Sequence, residues 1–295
     1  IRYGGYRPMV FLQHGLMVGM WMVTATLAGI ALWQSGVVKQ VRGIPIWALI
    51  GVLFISTIMC RSSGAIVLLG VGLLVFASIR YMRTSLALAA LAGICVLYVA
   101  VRASGTWDGS QLTELTRNVF GAERAQSVET RFYNEEAIAA RARQQPVFGW
   151  GGWGRSRIYD EHGKDVTITD SMWIITLGTN GALGVVAVVA VILLPPLLLA
   201  RKLPTPWWIH PVAAPTACMA VIVVLWMMDN LLNNMFNPVY VVMLGGIAGI
   251  RPLTQLDVGI VRVSRIRPPR PFVPRRKKGR MPPPRRPRVS DSQAS

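Results

Sequence analysis

Long apolar runs without a charged side chain are the feature that most constrains what this chain can fold into. The run over residues 13–33 contains no Asp, Glu, Lys or Arg, and as a helix it is long enough to cross about 30 Å of hydrocarbon. Similar runs cover residues 44–60, 64–79, 85–101, 172–200, 212–228 and 235–250. The pattern predicts an all-α, polytopic membrane helix bundle with about seven spans.

The charged residues are few and unevenly distributed. Only 15% of the residues are charged, yet 31 Lys and Arg stand against 13 Asp and Glu. Thirteen of the basic residues lie between Arg251 and Arg288, in a Pro-rich tail whose composition favours disorder. We expect this tail to contact anionic phospholipids, with RNA or protein binding as the lesser alternative. No nucleic acid is expected as a partner of the chain as a whole.

Short basic clusters between the runs predict the orientation in the membrane. Lys39 with Arg42, Arg80 with Arg83 and Arg201 with Lys202 fall on one side if all seven runs cross, and such clusters mark the cytoplasmic face. The predicted organisation is four spans in residues 1–101, a large outer loop in 102–170, three spans in 171–250 and a cytoplasmic tail in 251–295.

The outer loop is predicted to be partly helical. Residues 127–145 are rich in helix formers, place Arg131 and Glu135 four residues apart, and end before Pro146, where a helix normally stops. After the loop, Gly178, Gly181 and Gly184 interrupt the start of the fifth run. Either a broken helix that lines a site or close helix packing explains these glycines.

A glycine-rich motif and the cysteines do not indicate a cofactor. Gly149, Gly151 and Gly154 satisfy G-x-G-x-x-G, but no strand precedes them and no apolar helix follows, so the dinucleotide interpretation is rejected. A tight loop, structural or substrate-facing, is the alternative. The three cysteines lie apart in apolar runs and are interpreted as packing residues. No cofactor and no metal are expected.

Basic residues beside the outer ends of the predicted spans are candidate ligands for an anion. Arg7 and His14 precede or open the first span, and Arg61 stands between the second and third. Each has the alternative role of a headgroup anchor. Together with Arg131 they form a candidate diphosphate-binding cluster, because guanidinium groups match phosphate oxygens in pairs.

The outer loop contains five candidates for a general base, which are Asp160, Glu161, His162, Asp165 and Asp170, and Asp170 and His162 are the two selected. Asp170 comes immediately before an apolar run, where a carboxylate can accept a proton from a substrate hydroxyl. The alternative is that Thr169 or Asp170 caps the helix. His162 lies in the D-E-H-x-x-D stretch. This stretch matches no strong metal-ligand spacing, and a solvated loop without a catalytic role is the alternative.

The order of these motifs resembles the O-antigen ligase and O-antigen polymerase (Wzy-type) membrane family. The resemblance covers about residues 3–200 and is carried by G-Y-R-P, His14, R-S-S-G at Arg61, the long loop with Arg131, P-V-F-G-W-G, and T-D-S-M-W followed by G-T-N-G-A-L-G. In many relatives the helix after the loop opens with a His-Asn pair, and here Asp170-Ser171 stand at that place.

The resemblance implies a bacterial inner-membrane glycosyltransferase of polysaccharide and lipopolysaccharide biosynthesis, with a periplasmic loop and no metal. It would transfer a glycan from undecaprenyl diphosphate to a lipid or sugar acceptor. Arg7 and Arg131 would contact the diphosphate, with His14, Arg61, Gly149 and Gly151 as further substrate-binding candidates and Asp170 or His162 as the base. Because the sequence starts at Ile1, we expect amino-terminal helices before it.

Two other classes of protein remain open at this stage. A transporter or flippase for an anionic lipid or solute would use the interrupted helix near Gly178 and Gly181 as its binding element. A non-catalytic membrane scaffold would instead use the basic tail.

Overall fold

The chain is described by a computed structural model over residues 8–169 and 171–251, which leaves Arg7, Asp170 and the tail from residue 252 outside the described residues. The described part is mainly helical, with one two-stranded hairpin that pairs β1 (Gln40–Val41) with β2 (Ile44–Pro45). Its α-helices are α1 Gly15–Gln34, α2 Ile46–Met59, α3 Ser63–Ala77, α4 Leu86–Ser104, α5 Ser110–Phe120, α6 Ala122–Ala142, α7 Met172–Lys202, α8 Ala214–Asp229 and α9 Pro238–Ala248. A π-helical turn, Ser78–Met82, extends α3.

Each of the seven apolar runs contains a helix, and four helices of the described part are long and apolar enough to cross a membrane. These four are Gly15–Gln34, Ser63–Met82, Leu86–Ser104 and Met172–Lys202. The other three, α2, α8 and α9, are shorter apolar helices of 14, 16 and 11 residues. The prediction of a helical chain with membrane-spanning segments is therefore confirmed for four candidate spans, and seven crossings stay a prediction.

The core is built around α8, which is buried along most of its length. Helices α1, α3, α4, α7 and α9 all pack against it. Gly72 of α3 allows this packing, because a Cβ there would lie 2.7 Å from Leu27 and 2.9 Å from Leu225. Hydrogen bonds between hydroxyls, such as Thr24 to Tyr240 at 3.1 Å, link further helices.

Helix α7 is broken at Gly181, whose φ of 64° and ψ of −165° are not helical. The backbone groups at the break form hydrogen bonds with the segment 146–151, which lies next to the break in space. The amides of Trp150 and Gly151 donate to the carbonyls of Gly178 and Thr179, both at 2.8 Å. The predicted interruption is thus present, and a neighbouring loop satisfies its backbone.

Residues 110–142 form a helical hairpin of α5 and α6 joined at Gly121. The predicted loop helix over 127–145 corresponds to α6, which starts five residues earlier and ends at Ala142. Helix α5 was not predicted from the sequence. The alternative role of Thr169 or Asp170 as the cap of the next helix is wrong in position, because Ser171 is the N-cap residue of α7.

Candidate functional site

A cavity of about 290 Å³ lies where the ends of α1, α3 and α8 meet the α5–α6 hairpin. We call it the arginine cavity. Its polar lining residues are Ser62, Ser63, Thr116, Arg124, Ser127, Arg131, Asp229 and Asn233. Its apolar lining residues are Leu16, Val67, Leu68, Phe120, Val128, Met228 and Leu232.

Helix α6 brings two arginines to this cavity. Arg124, Ser127, Val128 and Arg131 line it, and their spacing of three, four and seven residues places them on one face of a helix. The local sequence folds this way because 122–142 contains neither Pro nor Gly and is rich in Ala, Glu and Arg. Arg131, which was predicted as a diphosphate ligand, therefore lies in the cavity with a second arginine.

A carboxylate faces these arginines from the end of α8. One oxygen of Asp229, Oδ1, accepts a hydrogen bond from the Asn233 amide at 2.8 Å. Its Oδ2 is buried and has no hydrogen-bond partner within the part of the chain that the structure describes. The positive charge of Arg131 acts on this carboxylate. The cavity thus holds both signs of charge, with one carboxylate oxygen available to a proton or a hydroxyl.

The amino-terminal end of α3 forms another part of the wall. Ser62 caps the helix by accepting a hydrogen bond from the amide of Ala65 at 3.3 Å, and Ser63 and Gly64 line the cavity. A helix amino terminus carries partial positive charge and unsatisfied amides, which favour an anion. This end of α3 adds to the positive potential of Arg124 and Arg131.

The apolar lining residues of the cavity belong partly to candidate membrane spans. Leu16 lies in the first turn of α1, and Val67 and Leu68 lie in the second turn of α3. A site that combines arginines with aliphatic side chains suits an amphipathic anion, whose charged head and apolar chain need different surroundings.

A buried charge cluster holds α6 against the bundle. Arg102 at the end of α4 and Glu135 of α6 are each 1% exposed, and their Nη2 and Oε2 atoms lie 3.3 Å apart. Arg102 also donates to the carbonyls of Trp107 at 2.8 Å and Phe132 at 3.2 Å. Because Arg131 lies one turn before Glu135, this cluster sets the position of the cavity arginines.

Glu135 also ties α6 to the start of α7. Its Oε1 accepts a hydrogen bond from the Ser171 hydroxyl, and its Oε2 accepts one from Tyr98 at 3.3 Å. Burial raises the pKa of Glu135, while the hydrogen bond from Ser171 and the charge of Arg102 lower it, with a net upward shift.

Three residues of the predicted anion cluster, His14, Arg61 and Arg7, are not among the described residues that line the cavity. The side chain of His14 caps α1 by accepting from the Leu16 amide at 3.1 Å. Arg61 is exposed in the turn before Ser62, with a φ of 50°. Neither residue lines the arginine cavity. Arg7 lies outside the described residues, so the structure brings only Arg131 of this cluster into the cavity.

The predicted glycine sites lie at the break in α7. Gly149 has a φ of 68°, and a Cβ there would lie 2.6 Å from the backbone nitrogen of Gly181. Gly151 has a φ of 75° and pairs with Thr179. Gly149 is needed for the close approach of two backbones and Gly151 for its left-handed backbone conformation, and neither lines the arginine cavity. Their role in substrate binding stays a prediction.

Of the two predicted bases, His162 does not line the arginine cavity and Asp170 lies outside the described residues. His162 is exposed in a turn where its amide donates to Asp160 Oδ1 at 2.9 Å. Met172, two residues after Asp170 along the chain, donates its amide to the carbonyls of Asn230 and Asn233, both at 3.2 Å. The start of α7 therefore contacts the turn that carries Asp229.

Arg124, Asp229 and the Arg102–Glu135 pair were not predicted from the sequence as parts of the site. A signal existed for Arg124, which stands seven residues before Arg131 on the same helical face. Asp229 is the acidic residue that directly follows the apolar run 212–228. Across residues 8–169 and 171–251, no group of three or more His, Cys, Asp and Glu is placed to hold a metal.

Comparisons with models of known protein families, with curated proteins and with solved structures give no match for this chain. Over residues 8–169 and 171–251 the protein is mainly helical, with four helices long and apolar enough to span a membrane.

Proposed function

We propose that this protein is a membrane glycosyltransferase of the O-antigen ligase or polymerase type. It would transfer a glycan from an undecaprenyl-diphosphate carrier to a lipid or sugar acceptor at the periplasmic face of the bacterial inner membrane. The observation that carries the proposal is the arginine cavity, in which Arg124 and Arg131 face Asp229 next to aliphatic residues of α1 and α3.

The cavity suits the charged part of such a donor. Two guanidinium groups can bind the oxygens of a diphosphate in bidentate fashion, and the amino terminus of α3 adds partial positive charge. The apolar wall at Leu16 and Val67 would accept the first units of the polyprenyl chain. Sequence motif order and cavity chemistry thus support the same class of substrate.

The transfer would proceed by displacement at the anomeric carbon. The acceptor hydroxyl oxygen forms a bond to this carbon, and the bond from the carbon to the diphosphate oxygen breaks with its electron pair going to the diphosphate. Arg131 and Arg124 stabilise the charge that develops on the leaving group. The hydroxyl proton passes to a carboxylate, for which Asp229 lies in the cavity and Asp170 remains the prediction from sequence.

The hydrogen bonding at the helix break does not favour the alternative of a transporter. A transporter of the kind considered above would bind its ligand through the open backbone groups of a broken helix. Here the carbonyls of Gly178 and Thr179 accept hydrogen bonds from Trp150 and Gly151, so these groups are engaged by the protein's own loop.

The test is genetic complementation of a strain that lacks this gene, with the surface glycan analysed on a gel. Full-length wild type is compared with Arg131→Ala, and with Arg155→Ala as the matched control, because Arg155 is an exposed loop arginine outside the cavity. Loss of one charge-assisted contact of about 1.5–3 kcal/mol predicts a drop in transfer of roughly ten- to a hundredfold.

We expect Arg131→Ala to lose long or lipid-attached glycan at unchanged protein abundance and Arg155→Ala to retain it. A normal glycan profile with Arg131→Ala, at normal membrane insertion, would contradict the proposed mechanism. A normal profile in the deletion strain itself, without a redundant relative, would exclude glycan transfer as the role.

A further inference from the structure

A second, larger depression lies on the other face of the α5–α6 hairpin. It has a volume of about 750 Å³ and is bounded by α5, by α6 and by the turn between α4 and α5. We call it the hairpin groove. Residues of α6 alternate between the two sites, because Arg131 faces the arginine cavity whereas Glu129 and Tyr133 face the groove. Its volume lies within the range of small-molecule sites.

The wall formed by the turn is held rigidly in place. The Trp107 ring makes edge contacts with Tyr98 and Phe132, at centroid distances of 5.9 and 6.0 Å. Asp108 accepts hydrogen bonds from the amide and hydroxyl of Ser110 at 3.0 and 2.9 Å. Gly109 has a φ of 87°, and a Cβ there would lie 2.6 Å from the Phe132 ring. The groove is therefore pre-formed rather than made by a mobile turn.

The lining combines aromatic rings with hydrogen-bonding groups of every kind. Tyr133 is 77% exposed, so a flat ring surface is open at the groove. Around it lie acceptor, donor and mixed groups, namely Asp108, Glu114, Glu129, Glu136, Arg117, Asn118, Ser110 and Thr113. Sugars need this combination, because their C–H faces pack on rings while their hydroxyls both donate and accept.

A buried donor at the groove supplies a separate indication of a ligand. Arg102 lines the groove and is 1% exposed, yet its Nε has no hydrogen-bond partner among the described residues. The other guanidinium nitrogens bond to Glu135, Trp107 and Phe132. A buried donor without an acceptor is costly, and a ligand hydroxyl in the groove would satisfy it.

The charge of the groove restricts the ligand further. Four carboxylates, Asp108, Glu114, Glu129 and Glu136, face two guanidinium groups, Arg102 and Arg117, for a formal balance of 2 − 4 = −2. Hydrogen bonds from Ser110 lower the pKa of Asp108 and keep it ionised. A negative groove disfavours uronic acids and other anionic sugars, and it accepts neutral or amino sugars.

We propose that the hairpin groove is a binding site for the sugar units of a neutral or amino-sugar glycan, apart from the diphosphate site in the arginine cavity. This inference rests on the proposed function, because it assigns the glycan of the same reaction to the second face of the hairpin. Tyr133 is the stacking surface, and Arg102 Nε and the carboxylates bind the hydroxyls.

The experiment uses the full-length protein in detergent and saturation-transfer NMR. The probe is a set of oligosaccharides released by mild acid from the lipid-linked glycans of the native cell, with trigalacturonate as the acidic comparison. Tyr133→Ala is compared with wild type and with Tyr81→Ala, a matched control because Tyr81 is 75% exposed in the π-helical turn after α3. Arg131→Ala serves as the variant of the other site.

We expect wild type, Tyr81→Ala and Arg131→Ala to bind the oligosaccharides, and Tyr133→Ala to bind them about five- to tenfold more weakly, as loss of one aromatic contact predicts. Trigalacturonate should bind weakly or not at all. No saturation transfer to wild type, equal binding by Tyr133→Ala, or preference for trigalacturonate would overturn the proposal.

The two proposals fail in different ways. If Arg131→Ala kept normal glycan transfer while Tyr133→Ala lost oligosaccharide binding, the diphosphate mechanism would be wrong and the groove would stand as a glycan site. If Arg131→Ala lost transfer while Tyr133→Ala bound normally, the groove assignment alone would be wrong.

Discussion

Removing either member of the buried Arg102–Glu135 pair should destabilise the protein, but with a different dependence on pH. Both residues are 1% exposed, so each single variant leaves one uncompensated group inside the protein. Breaking a buried pair on one side costs about 3–5 kcal/mol. At roughly 2–4 °C per kcal/mol for a chain of this size, the apparent melting temperature should fall by about 6–20 °C at neutral pH.

The pH dependence follows from which group is left behind. In Arg102→Met the remaining group is Glu135, whose pKa burial already raises and which loses the charge that lowers it. An acid whose pKa is raised in the folded state lowers the free energy of unfolding only when it is ionised. This loss of stability is therefore full above the folded-state pKa and disappears as the pH falls toward the ordinary value of 4.5. Recovery relative to wild type can reach about 1.4 kcal/mol per pH unit.

In Glu135→Gln the remaining group is the Arg102 guanidinium, which does not lose its proton in a protein. Its penalty should therefore stay constant between neutral and mildly acidic pH. The two variants should resemble each other at about pH 7.5 and diverge at about pH 5.5, with Arg102→Met the more stable of the two there.

The assay is thermal unfolding of the full chain in detergent, followed by tryptophan fluorescence at both pH values. Among the ten tryptophans, Trp173 lies beside the cluster, because its ring is 6.3 Å from that of Tyr98. Arg117→Met is the matched control, since Arg117 and Glu129 form an exposed pair at 4.0 Å worth at most about 1 kcal/mol. Equal losses by both variants at both pH values, or a loss no larger than that of the control, would refute the reasoning.

Two further predictions concern loops. Gly149→Ala should destabilise the chain by about 1–3 kcal/mol or more, because its φ of 68° and the Gly181 backbone leave no room for a Cβ. The control Gly152→Ala has open space around the new Cβ and should change stability by no more than about 0.5 kcal/mol. Thermal unfolding measures both variants, and equal effects would contradict the close contact of Gly149 with the α7 break. Arg157 holds the pKa of Asp165 at about 2, so the stabilisation from this pair should be complete above the ordinary value of 3.8 and be lost as the pH falls through about 2. Hydrogen exchange of the Thr167 amide, which donates to Asp165 at 2.9 Å, should report this loss after correction for intrinsic rates, and protection that stays constant down to about pH 2 would contradict it.

The candidate site could be predicted from sequence only where its residues share one helix. Arg131 was predicted from its place in a polar helical segment, and Arg124 lies two turns earlier on the same face. Asp229 could not be assigned to them, because it follows a different apolar run 98 positions later (229 − 131). The same holds for Arg102 and Glu135, which are 33 residues apart. Hydropathy along a chain describes burial, and carries no information on which loop residue meets which span end.

The sequence by itself determined the helical character of this protein, since each of the seven uncharged runs contains a helix. It also determined that Gly181 would interrupt α7 or allow close packing, because only glycine tolerates such backbone and such contact. Tertiary structure decided that the segment with Gly149 covers this break, that α6 presents Arg131 to the ends of α1, α3 and α8, and that Glu135 bonds to Arg102. These contacts join residues far apart in the chain, so they exist only once the helices have packed.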